Sequence, residues 1–153
     1  MNNQMKILDL VKDLREQTGA GVMTCKKALE ESKGNLEKAK EILKEKGLAK
    51  AAEKKDRETK AGFVATYTHN SGKIGVIVEI LCESDFVAKN EDFRNFTKEI
   101  CLQITAMAPK DLKELLKQEY IRDPSKTIND LVKATIAKFG ENIKIEKFER
   151  YEI

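Results

Sequence analysis

Histidine and cysteine, the side chains most readily turned to catalysis near neutral pH, are scarce in this 153-residue chain, with one and three copies. The one histidine, His69, stands in His69-Asn70-Ser71-Gly72, a run with the composition of a turn. A general base there would need a positioned nucleophile and a third group to orient it, and neither is signalled, so a solvated turn histidine is the simpler reading. The cysteines, Cys25, Cys82 and Cys101, are odd in number, far apart and without a Cys-x-x-Cys pair, which signals neither a zinc site nor a disulfide framework. Cys82 and Cys101 fall on apolar segments and read as inert buried thiols, and reduced cysteines fit a cytosolic protein. Thr18-Gly19-Ala20-Gly21 has the glycine density of a phosphate-binding loop. It follows a helical pattern rather than a strand, however, and lacks the Gly-Lys-Ser/Thr ending, so it reads as a helix–helix turn. Lys26-Lys27 and Lys54-Lys55 lie on polar helical stretches, where lysines are ordinarily solvated. No metal-ligand spacing occurs and no cofactor is expected. The inventory disfavours an enzyme.

What remains is a stretch that could act by contact: Cys82-Glu83-Ser84-Asp85-Phe86-Val87-Ala88-Lys89-Asn90. It lies between an apolar, β-branched run, Lys73 to Leu81, and a helical pattern in which Phe93, Phe96, Ile100, Ile104 and Met107 recur at three- and four-residue spacing. An acid and a large aromatic thus sit side by side at a strand-to-helix junction. Asp85 or Ser84 can cap the helix while Phe86 folds into the core. Alternatively, Phe86 points outward and inserts into a partner, with Asp85 beside it as a charge able to disturb the partner's own polar site. Pattern alone leaves both open.

The elements around this junction are legible from periodicity. Residues 5–16 form a helix with Ile7, Leu10, Val11 and Leu14 on one face, stopped by the Thr18–Gly21 glycines. A second helix runs from about Val22, with Val22, Cys25, Ala28 and Leu29 as its buried side. Gly34 and Asn35 supply its C-terminal turn and the next N-cap. Leu36, Ala39, Ile42 and Leu43 mark a third helix, closed by Gly47. Three short helices make a small bundle over residues 1–47, too small to be more than marginal alone. Residues 48–60 read as a polar helical linker. From Gly62 to Thr68 and from Lys73 to Cys82 the pattern is an antiparallel hairpin, followed by one long helix from roughly Val87 to Ala106. Short helices are expected at Leu112–Leu116 and at Ile128–Phe139, the second stopped by Gly140. The chain from Asn142 reads as a last strand, with a bulge near Glu146-Lys147 where its alternation slips phase. The fold class is α+β: the N-terminal helical domain, the linker, then residues 61–153 as a small antiparallel three-stranded sheet packed with helices.

Charge adds little. Residues 1–60 carry 15 Lys and Arg against 11 Asp and Glu, and the rest is close to neutral. That mild asymmetry leaves one alternative function, a small nucleic-acid-binding module using the basic N-terminal helices, although aromatic residues do not interleave with the basic ones. Met1–Lys12 lacks the apolar centre of a signal peptide, and no apolar run approaches a membrane span.

Two motifs carry a resemblance. Leu14-Arg15-Glu16-Gln17-Thr18-Gly19-Ala20-Gly21-Val22-Met23-Thr24-Cys25-Lys26-Lys27-Ala28-Leu29 closely resembles the N-terminal signature of the translation elongation factor Ts family, and Glu83-Ser84-Asp85-Phe86-Val87-Ala88-Lys89-Asn90 looks like its second signature, in the same order. The ending Gly140-Glu141-Asn142-Ile143 through Arg150-Tyr151 is also similar, so the likeness spans essentially the whole chain. Ser84 stands where a Thr is commoner, keeping the hydroxyl, and Thr24 where an acid is commoner. The resemblance implies a non-enzymatic, cytoplasmic guanine-nucleotide exchange factor for the GTPase elongation factor Tu, without cofactor, metal site, membrane or direct nucleic-acid contact. It implies that the N-terminal domain is ubiquitin-associated-like and docks on the GTPase through Arg15, Thr18, Gly19, Gly21, Val22, Met23 and Lys26. Ser84, Asp85, Phe86 and Val87 correspond to residues that dislodge the partner's Mg²⁺. Longer members carry two core subdomains and this chain has room for one, like the short members that dimerise; a homodimer in a two-to-two complex is therefore expected.

Overall fold

The computed structural model describes residues 3–153, with side chains from Lys6 onward. The order of elements is α1 (Asn3–Thr18), α2 (Val22–Glu31), α3 (Leu36–Lys54), β1 (Ala61–Thr68), β2 (Ile74–Cys82), α4 (Asp85–Ala88), α5 (Glu91–Met107), α6 (Leu112–Lys117), β3 (Glu119–Tyr120), β4 (Asp123–Thr127), α7 (Ile128–Phe139) and β5 (Lys144–Glu152). The chain divides into two compact units, Met1–Glu53 and Lys54–Ile153.

The first unit is a helical bundle. Val11 and Leu14 of α1, Cys25, Ala28 and Leu29 of α2 and Ala39 of α3 are buried together, with Ile7, Leu10, Leu36, Ile42 and Leu43 packed against them. These are the apolar stripes expected from helical periodicity. Val22 is the exception: it is 48% exposed rather than on the buried side, because α2 begins there and its inward face starts at Cys25. Helix α2 ends in a Schellman turn, in which Gly34 N–H donates to Leu29 O (2.8 Å) and Lys33 N–H to Glu30 O (3.1 Å). Asn35 then caps α3 by accepting from Lys38 N (3.0 Å). Gly47 does not close α3, which runs on to Lys54. An isolated glycine costs a helix only about 1 kcal/mol against Ala, and the Leu, Ala, Lys and Glu around it are strong helix formers. Residues 55–60 are not helical, so the expected linker helix is the end of α3 followed by irregular chain, and Ala51 within it is buried.

The second unit is built on a three-stranded antiparallel sheet in the order β1-β2-β5. Alternate residues of β2, Val76, Val78, Ile80 and Cys82, are buried on one face. Helix α5 contacts both β1 and β2, and its Phe93, Phe96, Ile100 and Ile104 are buried, completing a two-layer core. The opposite sheet face carries Val64, Ile77 and Tyr151, all exposed. The β2–β5 register shifts between Lys147 and Ile145, leaving Glu146 as the extra residue of the expected bulge. Gly62 lies opposite Leu81 and has no room for a side chain, since a Cβ there would fall 2.4 Å from Ile80 O.

Two features were not expected. The long helix is broken into α4 and α5, because Asn90 adopts an extended conformation and accepts from Asp92 N (2.8 Å), starting a new helix. The small hairpin β3–β4 is also new. It is held by the fully buried Gln103 of α5, whose amide donates to Glu119 O (3.0 Å) and accepts from Ile121 N (3.0 Å). Helices α6 and α7 lie where expected, and α7 ends at Gly140 in the left-handed conformation, φ 69°.

Candidate partner-binding site

The Ser84–Val87 stretch forms a single helical turn whose two faces are sharply different. Val87 and Ala88 are buried (5% and 4% exposed), whereas Asp85 is exposed and Phe86 is 85% exposed. Successive residues of a helix diverge by about 100°, so seating Val87 and Ala88 in the core turns Asp85 and Phe86 outward. The pattern-based option of a Phe86 folded into the core is therefore overturned. Ser84, not Asp85, is the cap: its Oγ accepts from Val87 N (3.3 Å). No bond or ion pair is formed by the Asp85 carboxylate among the described residues. Leaving a Phe side chain in water forgoes about 1.5–3 kcal/mol of burial, so this aromatic is not there for the isolated fold.

The turn is fixed from below by a reciprocal clamp. The Glu141 carboxylate, just after α7, accepts from Glu83 N (3.0 Å), Ser84 N (3.0 Å) and the Ser84 hydroxyl. In return, the Glu83 carboxylate accepts from Asn142 N (2.6 Å) and lies 3.7 Å from the Arg57 guanidinium. The Asn142 side chain, buried, donates to Lys55 O (3.3 Å) and Arg57 O (2.8 Å). At the other end of the turn, Arg94 Nε donates to Ala88 O (2.6 Å) while its guanidinium stacks 3.6 Å over the Phe63 ring. Glu83, Glu141, Asn142 and Arg94 had no role in the sequence reading. The signals that could have found three of them are the family-like stretches, with Glu83 opening the second signature and Glu141 and Asn142 in the Gly140-Glu141-Asn142-Ile143 ending.

The N-terminal candidates fall on one short stretch of the first unit. Arg15, Gly19, Gly21, Val22, Met23 and Lys26 are all exposed, and Thr18 is half-buried. Thr18 shapes the turn: its hydroxyl donates to Leu14 O (2.6 Å) and accepts from Ala20 N (3.3 Å), while Gly19 N–H donates to Arg15 O (2.8 Å). Those bonds take up amides that a phosphate loop would leave pointing at a ligand. Gly19 has φ 69°, which is why a glycine is needed there. Thr24 lies within the first turn of α2, whose N-cap is Gly21. Met23 (62%) and Val22 (48%) give this stretch an exposed apolar centre, next to the charged Arg15 and Lys26.

The remaining candidates are dispersed. His69 is exposed in the β1–β2 turn, its Nδ1 3.5 Å from the Tyr67 hydroxyl. Cys25, Cys82 and Cys101 are free and buried, and desolvation raises all three thiols, Cys101 to about 11. For Cys82 the nearby Glu141 carboxylate pushes the same way. Among the described residues no group of acids, histidines and cysteines could hold a metal ion, and no helix is long and apolar enough to cross a membrane. Val22, Met23 and Phe86 are exposed apolar side chains at the two candidate stretches.

Comparison with known proteins gives these stretches a context. Residues 83–153 match the family described as Elongation factor TS. The chain is 45% identical to Elongation factor Ts of Thermoanaerobacter sp. (strain X514) over 93% of its own length and 92% of the relative's. It is 45% identical to Elongation factor Ts of Leptospira biflexa serovar Patoc (strain Patoc 1 / Ames), with 94% and 95% covered, and 42% identical to that of Coprothermobacter proteolyticus, with 94% and 96% covered. The first alignment runs over 187 positions while taking in 93% of a 153-residue chain, so that relative has internal residues for which this chain has no counterpart. With such identity over nearly its whole length, the chain belongs to the elongation factor Ts family.

Proposed function

We propose that this chain is the guanine-nucleotide exchange factor for elongation factor Tu: it binds the GDP-bound GTPase, dislodges Mg²⁺ and promotes GDP release so that GTP can bind. The observation that carries the reading is Phe86, 85% exposed on a turn fixed at both ends, with Asp85 beside it. An aromatic held rigidly in water loses little entropy on docking and is a natural anchor. In the GTPase, Mg²⁺ bridges the nucleotide's phosphates to protein oxygens, so displacing its ligands loosens the nucleotide. Ser84, Asp85, Phe86 and Val87 act together there: Phe86 wedges, Asp85 brings negative charge, and Ser84 and Val87 hold the turn. No covalent chemistry is involved, and no cofactor.

The N-terminal domain, expected over residues 1–47 and carried on by α3 to the end of the first unit at Glu53, docks on the GTPase through Arg15, Thr18, Gly19, Gly21, Val22, Met23 and Lys26. Residues 61–153 form the exchange core and the dimerisation domain. The exposed Val64, Ile77 and Tyr151 on the uncovered sheet face support a homodimer, hence a two-to-two complex, working in the cytoplasm without membrane or direct nucleic-acid contact. The alternative of a nucleic-acid-binding module is not favoured, because the relatives are translation elongation factors.

The test is release of fluorescent GDP from elongation factor Tu with and without the chain. The chain accelerates release, and because coupling is reciprocal, added GDP weakens the complex by the same factor by which the chain weakens GDP binding. A GDP release rate that the chain leaves unchanged refutes the reading.

A further inference from the structure

Resting on the exchange-factor reading, we infer that Glu141 is a positioning residue for the wedge: its carboxylate sets the posture of Ser84-Asp85-Phe86 before any partner is met. Three donors converge on this one carboxylate. Oε2 accepts from both Glu83 N and Ser84 N at 3.0 Å, and Oε1 accepts from the Ser84 hydroxyl. The third bond matters most. A serine hydroxyl rotates freely unless its proton is claimed. With the proton directed at Glu141, a lone pair of Ser84 Oγ faces Val87 N, the cap bond that starts the turn. Glu141 therefore acts on α4 through Ser84, across 57 residues of sequence. Helix α4 has four residues, too few to hold itself by its own hydrogen bonds.

The carboxylate is itself placed. It follows Gly140, whose left-handed conformation ends α7, and precedes Asn142, whose backbone N–H is held by Glu83 and whose amide holds the carbonyls of Lys55 and Arg57. Glu83 and Glu141 each satisfy the other segment's backbone, so neither can shift alone. Both residues are half-buried, and the bonds they make go to backbone and to Ser84 rather than to the Phe86 side chain. Their role in exchange runs through the turn's geometry, not through contact with the GTPase.

A glutamine at 141 keeps the shape and can keep its carbonyl on the two backbone N–H groups, but its amide then faces the Ser84 hydroxyl as a donor and no longer claims the proton that fixes it. Wild type, Phe86→Ala, Glu141→Gln and the double variant are compared in stimulated GDP release from elongation factor Tu. Amide hydrogen exchange of the free chain is followed at Glu83, Ser84 and Val87. Glu141→Gln is expected to slow release about ten-fold, the scale of one lost charge-assisted bond. It should also unprotect the Val87 amide while the β2 amides stay protected, and should add nothing to Phe86→Ala in the double variant. Ser84→Ala should reproduce the loss, which keeps the inference open to test should Glu141→Gln fold poorly. Losses that add in the double variant, or wild-type release from Glu141→Gln alongside slow release from Phe86→Ala, overturn the positioning role and leave the exchange function standing. A wild-type chain that fails to accelerate GDP release overturns the function itself.

Discussion

Truncating Phe86 to alanine separates what the free fold needs from what the partner needs. The ring is 85% exposed, so folding has used only a small part of its burial energy. Full burial of a Phe side chain is worth about 1.5–3 kcal/mol, and the share realised here is below about 0.5 kcal/mol. Alanine also has the better helix propensity, by a few tenths of a kcal/mol, which offsets part of that loss. The melting temperature should therefore stay within about 2 °C of wild type. In the complex the balance reverses. An aromatic anchor seated in a desolvated pocket typically carries at least about 2 kcal/mol, which corresponds to a roughly 30-fold slower stimulated release of GDP at sub-saturating concentration. Stopped-flow fluorescence with labelled GDP on elongation factor Tu measures the second quantity, and thermal unfolding of the free chain the first. Undiminished release by Phe86→Ala, or a fold that collapses without the ring, would show that the exposed posture is not what acts on the GTPase.

Two further outcomes probe the core that carries the turn. Gly62→Ala should destabilise the second unit by about 1–3 kcal/mol in chemical denaturation, because the new Cβ meets backbone atoms of β2 that cannot swing aside, Ile80 O at 2.4 Å and Leu81 Cα at 3.0 Å. The Tyr120 phenol, raised to about 12 by burial and by its 2.7 Å hydrogen bond to Glu99, predicts an alkaline limb. Its native pKa lies above the unfolded value of about 10, so its contribution is complete below pH ~10 and is lost as pH climbs toward ~12. Cys101, raised to about 11 by burial, acts in the same direction from a lower starting point. Stability measured against pH should therefore fall on the alkaline side, and Tyr120→Phe should make that fall shallower; an unchanged slope would mean the phenol is not linked to folding.

Much of this architecture is written locally and can be read locally. The stripes of α1, α5 and α7, the β1–β2 hairpin and the slipped phase at Glu146 each depend on neighbours a few residues away. The misreadings have different causes. Gly47 looks like a stop, yet strong helix formers on both sides carry α3 through it. Asn90 is hidden inside a run that is helical on either side, and only its cap to Asp92 reveals two helices. Strands β3 and β4, with Pro124 and Asp123, have turn-like composition and exist because Gln103 reaches across from α5 to hold them. In this last case tertiary contact overrides local propensity.

The posture of Phe86 is the sharpest instance. Periodicity assigns an inward face only when several turns repeat it, and α4 has a single turn, so either of two neighbouring apolar residues, Phe86 or Val87, could have been the buried one. The choice is made elsewhere. Val87 and Ala88 fill the space beside β1 and β2, Arg94 holds the end of the turn against Phe63, and Glu141 holds its start. A turn this short, defined from both ends by residues outside it, cannot rotate without unseating Val87 and breaking the clamp. The rigidity of this turn is thus drawn from the β-sheet core and from the end of α7, although the exposed residues of α4 are only Asp85 and Phe86.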